Sequence, residues 1–278
     1  RLPLTMRPAR IFLTEQELPI SFGKPRRAEL REKLADGSIV LTPAHRPEPE
    51  ELTRLEKAFG YTYEDVKNNS AVRTYIQRAD ESLTALGYTE HSFAHVTAVA
   101  ENAAYILSTL GYPERTVELA KIAGFLHDIG NLVNRVDHSQ SGAVMAFRIL
   151  DNMDCPPEEI ATIVTAIGNH DEGTGMPVNA VAAALILADK SDVRRSRVRN
   201  PDMASFDIHD RVNYSVKKSV LKINEEHTLI KLKLSVDTKY GSVMDYFEIF
   251  MGRMLLCRKA AEKLGLQFKL MINEQQLI

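Results

Sequence analysis

The chain has 278 residues, 44% of them hydrophobic and 26% charged, enough to bury one large core or a core with a smaller appendage. Its formal net charge of -2 excludes a global positive field that would draw nucleic acid or an anionic membrane, though not a local basic patch. Two cysteines in unrelated contexts, Cys155 and Cys257, exclude a secreted disulfide scaffold; with no signal-type opening and no apolar run near the roughly 20 residues of a membrane helix, a cytoplasmic protein without a membrane partner is expected.

The first 50 residues are mixed in character. Arg26 to Leu34 has the pattern of a short helix, and Pro43, Pro47 and Pro49 break the stretch that follows. Glu50, Leu52, Leu55 and Phe59 give a helix-like pattern ending near Gly60, and a second helical stretch runs from about Ala71 to Leu86, stopping at Gly87. Residues 1–88 are expected to form a helical and irregular N-terminal extension.

The middle third is more regular. Val96, Val99, Ala100, Ala103, Leu107 and Leu110 recur at helical spacing, and Gly111 and Pro113 supply a stop and a restart. Further helices are expected from Pro113 to Ile129, from about Ser139 to Leu150, from Pro156 to about His170, and from Asn179 to about Ser191. The short connections between them are those of a helical bundle, assigned to residues 89–204.

Beyond residue 212 the period changes. Ile230, Leu232, Leu234 and Val236 alternate with Lys231, Lys233 and Ser235, and the run from Val220 to Ile223 is a natural partner across the Asn224–Glu226 turn. A long helix follows from about Val243 to Leu264, and Leu266, Phe268 and Leu270 alternate again. Residues 205–278 therefore read as a β-β-α-β unit, and the fold class is mainly α with this small α+β appendage.

Chemistry is concentrated between residues 91 and 170, which hold five of the eight histidines. His95 begins the stripe continued by Val99 and Ala103; His127 follows Ala120 and Ala123 on one face; His138 leads to Gly142 and Met145; His170 extends Ile163 and Ile167; Asp189 extends Ala182 and Leu185. Each of five helices or helix ends thus turns one metal-competent side chain toward the face that should be buried. A buried ionised carboxylate costs several kcal/mol unless paired or coordinated, and one or two cations would satisfy all these groups together. Imidazole plus carboxylate without thiolate suits Fe, Mn, Zn or Co better than a structural zinc knuckle, with Mg a further option for the divalent ion.

Phe125-Leu126-His127-Asp128-Ile129-Gly130 resembles the motif of the HD-domain metal-dependent phosphohydrolases. The resemblance covers residues 90–200 and implies a minimal metal set of His95, His127, Asp128 and Asp189, in an HD-type helical bundle. His138 and His170 match the extra histidines of two-metal members, with Asp128 bridging the ions. Asn169-His170-Asp171-Glu172-Gly173-Thr174-Gly175-Met176-Pro177 is similar to a degenerate HD-GYP loop, with Asn169 where that branch has a histidine, and Asn131 stands where the family often has lysine. The implied activity is hydrolysis of a phosphate ester, a nucleotide or related small molecule, by a metal-activated water, with Asp128 and Lys190 as catalytic residues and Lys190 and Arg194 holding the substrate phosphate.

Weaker signals surround this set. His91 lies one turn before His95 with a supporting or loop role as natural as a ligand's, and the run Arg194, Arg195, Arg197, Arg199 suits either phosphates or a solvated loop balanced by Asp192 and Asp202. His209-Asp210 lacks the preceding apolar helix and the following glycine, and is set aside as a decoy. A second function class, a regulatory protein that binds a nucleotide or RNA in the same pocket without turnover, fits Asn131 and the β-containing tail. A mixed-valent di-iron oxygenase shares the ligands, and an oligomer is compatible with all three.

Overall fold

A computed structural model describes residues 61–277 throughout and, before them, only residues 12–13, 20–21, 24–25, 33, 36–38 and 42–43. Contacts divide the chain into two units, Arg1–Gly60 and Tyr61–Ile278. In the first, β1 (Phe12–Leu13) pairs antiparallel with β4 (Thr42–Pro43), and β2 (Ile20–Ser21) with β3 (Lys24–Pro25). The expected helices at Arg26–Leu34, apart from Lys33, and at Glu50–Phe59 lie outside the described residues.

The second unit opens with α1 (Tyr63–Asn68), which the sequence pattern did not reveal, and α2 (Ser70–Ala85). Thr62 and Asp65 close a capping box on α1, satisfying amides that have no partner within the helix. Arg115 fastens this start of the unit to the bundle: it donates to both oxygens of Glu159 at 2.8 and 2.6 Å, to Glu118 at 2.6 Å and to the Tyr61 carbonyl at 2.9 Å. The compact unit therefore begins at Tyr61, and α2, expected in a separate extension ending at residue 88, belongs to the same body as the bundle.

The bundle comprises α3 (Phe93–Thr109), α4 (Glu114–Leu126), α5 (His138–Asn152), α6 (Pro157–Gly168) and α7 (Ala180–Ser191). Every residue of α7 from Val181 to Ala188 is buried, so this helix has no solvent face and runs through the centre of the fold. Its last turn carries Asp189 into the interior. Helix α4 ends one residue before His127, and a 3-10 turn, Ile129–Leu132, carries the chain back toward α5.

After two short 3-10 turns and α8 (Ile208–Ser215), the chain forms β5 (Val216–Ile223), β6 (Leu229–Val236), α9 (Val243–Lys263), β7 (Gln267–Ile272) and β8 (Gln275–Gln276). The four strands form one sheet in the order β5-β6-β7-β8. β5 and β6 are an antiparallel hairpin, whereas β6 and β7 are parallel because the helix between them returns the chain to the same end of the sheet. The fold is mainly α with a small C-terminal sheet, as expected; the added strand is the two-residue β8. Helix α9 packs on both α7 and β7, joining sheet and bundle through buried Phe250, Met254, Cys257 and Ala260.

The approach of α5 to the turn after α4 is what Gly130 permits. A Cβ there would run into the backbone carbonyl of His138, the amide of Gly142 and the Ser141 hydroxyl. Gly130→Ala should therefore cost about 3 kcal/mol or more of stability by overpacking against backbone that cannot yield. Chemical denaturation measures this, and an unchanged midpoint would contradict it.

Candidate metal centre

The site is assembled from the ends of helices. His95 lies in the first turn of α3, whose N-cap Ser92 accepts the Ala94 amide. His127 and Asp128 follow the end of α4, His138 opens α5, His170 follows α6, and Asp189 stands in the last turn of α7. His95, His127, Asp128, His138 and His170 are buried, and the Asp189 side chain is 11% exposed.

One local device orients the histidines. Nδ1 of His127 lies 2.8 Å from the Gly124 carbonyl, Nδ1 of His170 2.6 Å from Ile167, and Nδ1 of His138 3.1 Å from Arg135. Each acceptor lies three residues back, and the bond to Gly124 satisfies a carbonyl at the end of α4. His95 does the same toward a side chain, with Nδ1 2.7 Å from Asp192 Oδ2. Carbonyl and carboxylate oxygens only accept, so all four rings carry a proton on Nδ1 and turn Nε2 inward.

The Nε2 atoms meet two carboxylates. Asp128 Oδ2 lies 3.3 Å from His127 Nε2 and 3.5 Å from His95 Nε2, while Asp189 Oδ1 lies 3.4 Å from His95 and 3.6 Å from His127. On the other side, Asp128 Oδ1 is 3.5 Å from His138 Nε2, which is 3.3 Å from His170 Nε2. Three trios offer ligand atoms within 4.8 Å of one another: His95, His127 and Asp128; His127, His170 and Asp189; and Asp128, His138 and His170. Nε2 of both His95 and His127 is buried with no hydrogen-bond partner. The Nε2 atoms of His138 and His170, 3.3 Å apart and both acceptors, repel unless a cation sits beside them. Divalent ions fit this donor set.

Electrostatics point the same way. Burial works against charge on Asp128 and Asp189, yet His127 for the first and Lys190 for the second hold both carboxyls well below their ordinary range. Burial followed by neighbouring positive charge keeps His91 and His170 neutral, and His138 is lowered first by burial, leaving free lone pairs. His127 and His95 are the exceptions: burial would lower both, but Asp128 and Asp189 push His127 up to about 10, and Asp128, Asp189 and Asp192 raise His95 against burial and Arg197. Positive charge is thus demanded beside the carboxylates.

The six expected ligands, His95, His127, Asp128, His138, His170 and Asp189, are brought together. The expected phosphate binders are not arranged as foreseen. The Lys190 ammonium is buried between Asp189 Oδ2 at 2.7 Å and Glu172 Oε2 at 3.3 Å, and Arg253 of α9 pairs with the same Glu172. Lys190 holds a ligand in place. Arg194 is bound to Asp192 at 2.9 Å and Glu90 at 3.0 Å, beyond His95 and outside the cavity over the site, because those two carboxylates compete for it at close range.

That cavity, about 350 Å³, is lined instead by Arg135, Arg197 and Arg253, with Lys190 at its floor. Arg135 is 4.0 Å from Asp128 Oδ1. Asn131 donates to the Asp128 carboxylate at 3.0 Å, fixing its rotation, and His91 stands 4.0 Å from Asp128 Oδ2 with its own Nδ1 on the Thr89 carbonyl at 2.7 Å. His209 and Asp210, set aside on sequence, line the cavity from α8 together with Asp207 and Asn213; they touch no ligand, but they form its opposite wall. Asp192 and Asn131 went unrecognised because their roles depend on which ring or carboxylate they reach; only the histidine patterning hinted that each ring needed an acceptor.

Residues 92–194 match the family described as HD domain. The chain is 26% identical over 200 residues to an uncharacterized protein of Methanocaldococcus jannaschii, spanning 64% of this chain and 77% of that one. It is 25% identical to a predicted HD superfamily hydrolase from an uncultured Thermotogales bacterium, known from a crystal structure, over 45% of this chain and 68% of that one, with a TM-score of 0.37. The stretch 92–194 thus matches an HD domain, a family whose members generally bind divalent metals.

Two measurements test the centre. Loading a divalent ion must expel the protons that His127 and His95 hold, so affinity should rise with pH near neutrality by up to about tenfold per pH unit for each proton released, read by calorimetry in buffers of different ionisation enthalpy. A pH-independent affinity would contradict this. Asp192→Asn should weaken metal binding by about 10- to 100-fold with the fold intact, because it removes the carboxylate that orients His95; unchanged metal content at limiting metal would refute that role.

Proposed function

We propose that the protein is a metal-dependent phosphohydrolase acting on a phosphate ester, a nucleotide or related compound, within the cavity over the histidine cluster. The observation that supports it most is the convergence of four inward Nε2 atoms and two carboxylates, with Nε2 of His95 and His127 buried and without a hydrogen-bond partner among the described residues. His95, His127, Asp128 and Asp189 would hold one cation, and Asp128, His138 and His170 would hold a second where two are bound. Divalent ions there supply Lewis acidity toward a phosphoryl oxygen and lower the pKa of water.

The chain's own residues supply the rest. The Nδ1 hydrogen bonds and Asn131 keep the ligands rigid, which limits reorganisation during the reaction. Arg135, beside Asp128 and open to the cavity, is the side chain suited to neutralise charge on the phosphoryl group. The wall of Asp207, His209 and Asn213 offers hydrogen bonds to a hydroxyl-bearing or base-bearing leaving group. Both cysteines are free and buried, which fits the cytoplasmic setting proposed for the chain.

Purified protein should carry Mn, Fe or a similar metal and release phosphate from a panel of nucleotides and other phosphate esters. Asp128→Ala should lose metal and at least about 1,000-fold in kcat/KM, a loss of about 4 kcal/mol of transition-state stabilisation, while keeping its circular dichroism spectrum. Folded, metal-loaded protein inert across the panel would overturn the assignment. A co-purifying nucleotide that survives incubation with metal would replace it with a binding role.

A further inference from the structure

The sheet presents a second surface of distinct character. Its buried face is Ile230, Leu232, Leu234 and Val236 of β6 with Phe268, Leu270 and Ile272 of β7, covered by α9. The alternate positions form the outer face, and five of them are lysines: Lys218 and Lys222 on β5, Lys231 and Lys233 on β6, and Lys269 on β7. The register sets Lys222 beside Lys231 and Lys231 beside Lys269, making one row of three ammonium groups across three neighbouring strands. Lys233 lies one step along, opposite Val220 and Met271.

No acidic side chain occupies the outer face of these three strands. The nearby carboxylates are Glu225 and Glu226 in the β5–β6 turn and Glu274 in the β7–β8 turn, while Asp237 is taken by Lys217 at 2.9 Å. None of the five lysines has an ion-pair partner within 4.0 Å among the described residues. Like charges on directly opposed strand positions destabilise a sheet. Lysine often guards an edge strand against unwanted pairing, and Lys269 lies on the part of β7 beyond the two residues that pair with β8, but Lys231 and Lys233 sit on β6, which is paired on both sides. Neither stability nor edge protection accounts for the lysines of β6.

We propose that this face binds the phosphate backbone of a nucleic acid, independently of the chemistry in the cavity. Five uncompensated positive charges on a chain of net charge -2 are a local polyanion site. Between the lysines lie Val220, Leu229, Ser235, Gln267 and Met271, with no aromatic ring to stack a base, so the contact is to phosphates and indifferent to sequence. The row runs across a twisted sheet, which suits one chain of phosphates better than a planar layer of lipid headgroups.

The test uses the full chain, with fluorescence anisotropy on labelled single-stranded and duplex oligonucleotides from about 50 to 200 mM salt. Five phosphate contacts predict a log–log salt slope of about -3.5 to -4.5. The triple variant Lys231→Gln, Lys233→Gln, Lys269→Gln should bind at least about tenfold more weakly and lose about 2 to 3 of that slope. The corresponding triple arginine variant, which keeps the charge, should bind like the parent and controls for folding. None of the five lysines lines the cavity, so phosphate-ester hydrolysis is expected to be unchanged in both variants. Absence of binding at the lowest salt, an unchanged slope in the glutamine variant, or binding to phosphatidylserine vesicles without binding to oligonucleotides would each overturn the proposal.

Discussion

Four hydrogen bonds from imidazole Nδ1 decide the character of this protein. A histidine can present either nitrogen, and a buried one takes the orientation its acceptor dictates. Here the acceptors are three carbonyls, each three residues back along the chain, and one carboxylate, Asp192. They fix both tautomer and ring direction before any ligand arrives. The inward lone pairs, the proximity of Asp128 and Asp189, and the excess negative charge all follow from them. Helix ends are the natural source of such acceptors, which is why the cluster is built where α4 and α6 stop and where α5 begins.

Around this centre, the protein spends its buried charges on positioning. Lys190 and Arg253, which a reading by residue type would send to a substrate, are joined through Glu172 into a chain that ends on Asp189. Arg197 and Arg194 brace the Asp192 that orients His95. The Asp80 carboxylate on α2 accepts from Arg199 Nη2 through both oxygens, at 2.5 and 2.6 Å, and accepts the His91 amide, tying the segment after α7 to the loop at the cavity mouth. Buried ion pairs add little net stability, and these hold ligands to one geometry. The centre thereby draws on α2 and α9, well outside the stretch that carries the HD motif.

The six-residue cluster was legible because each member sat on an apolar helical stripe where a polar group is out of place, and His127-Asp128 with its glycine is specific. The bundle and the β-β-α-β order were legible from period alone. What sequence could not supply was partner choice. Arg194 and Lys190 follow Asp189 directly, and nothing in their spacing reveals that Glu90, Asp192 and Glu172 reach them first. His209-Asp210 failed as a motif yet reached the cavity, since wall residues need position and not pattern. Asn131, read as a missing lysine, proves to be the side chain that clamps Asp128, a role set by a 3.0 Å contact.

The centrality of α7 carries a cost in assembly. This helix is apolar on every side, and one of the elements that covers it is α9, which begins more than 50 residues later in the chain. During synthesis the HD stretch emerges complete in its motif while one flank of its most hydrophobic helix stays wet. Until Val243–Lys263 docks, that flank is available to any other exposed apolar surface. A fragment cut to the family boundary would inherit the same bare flank permanently, so the minimal folding unit extends well beyond the minimal motif.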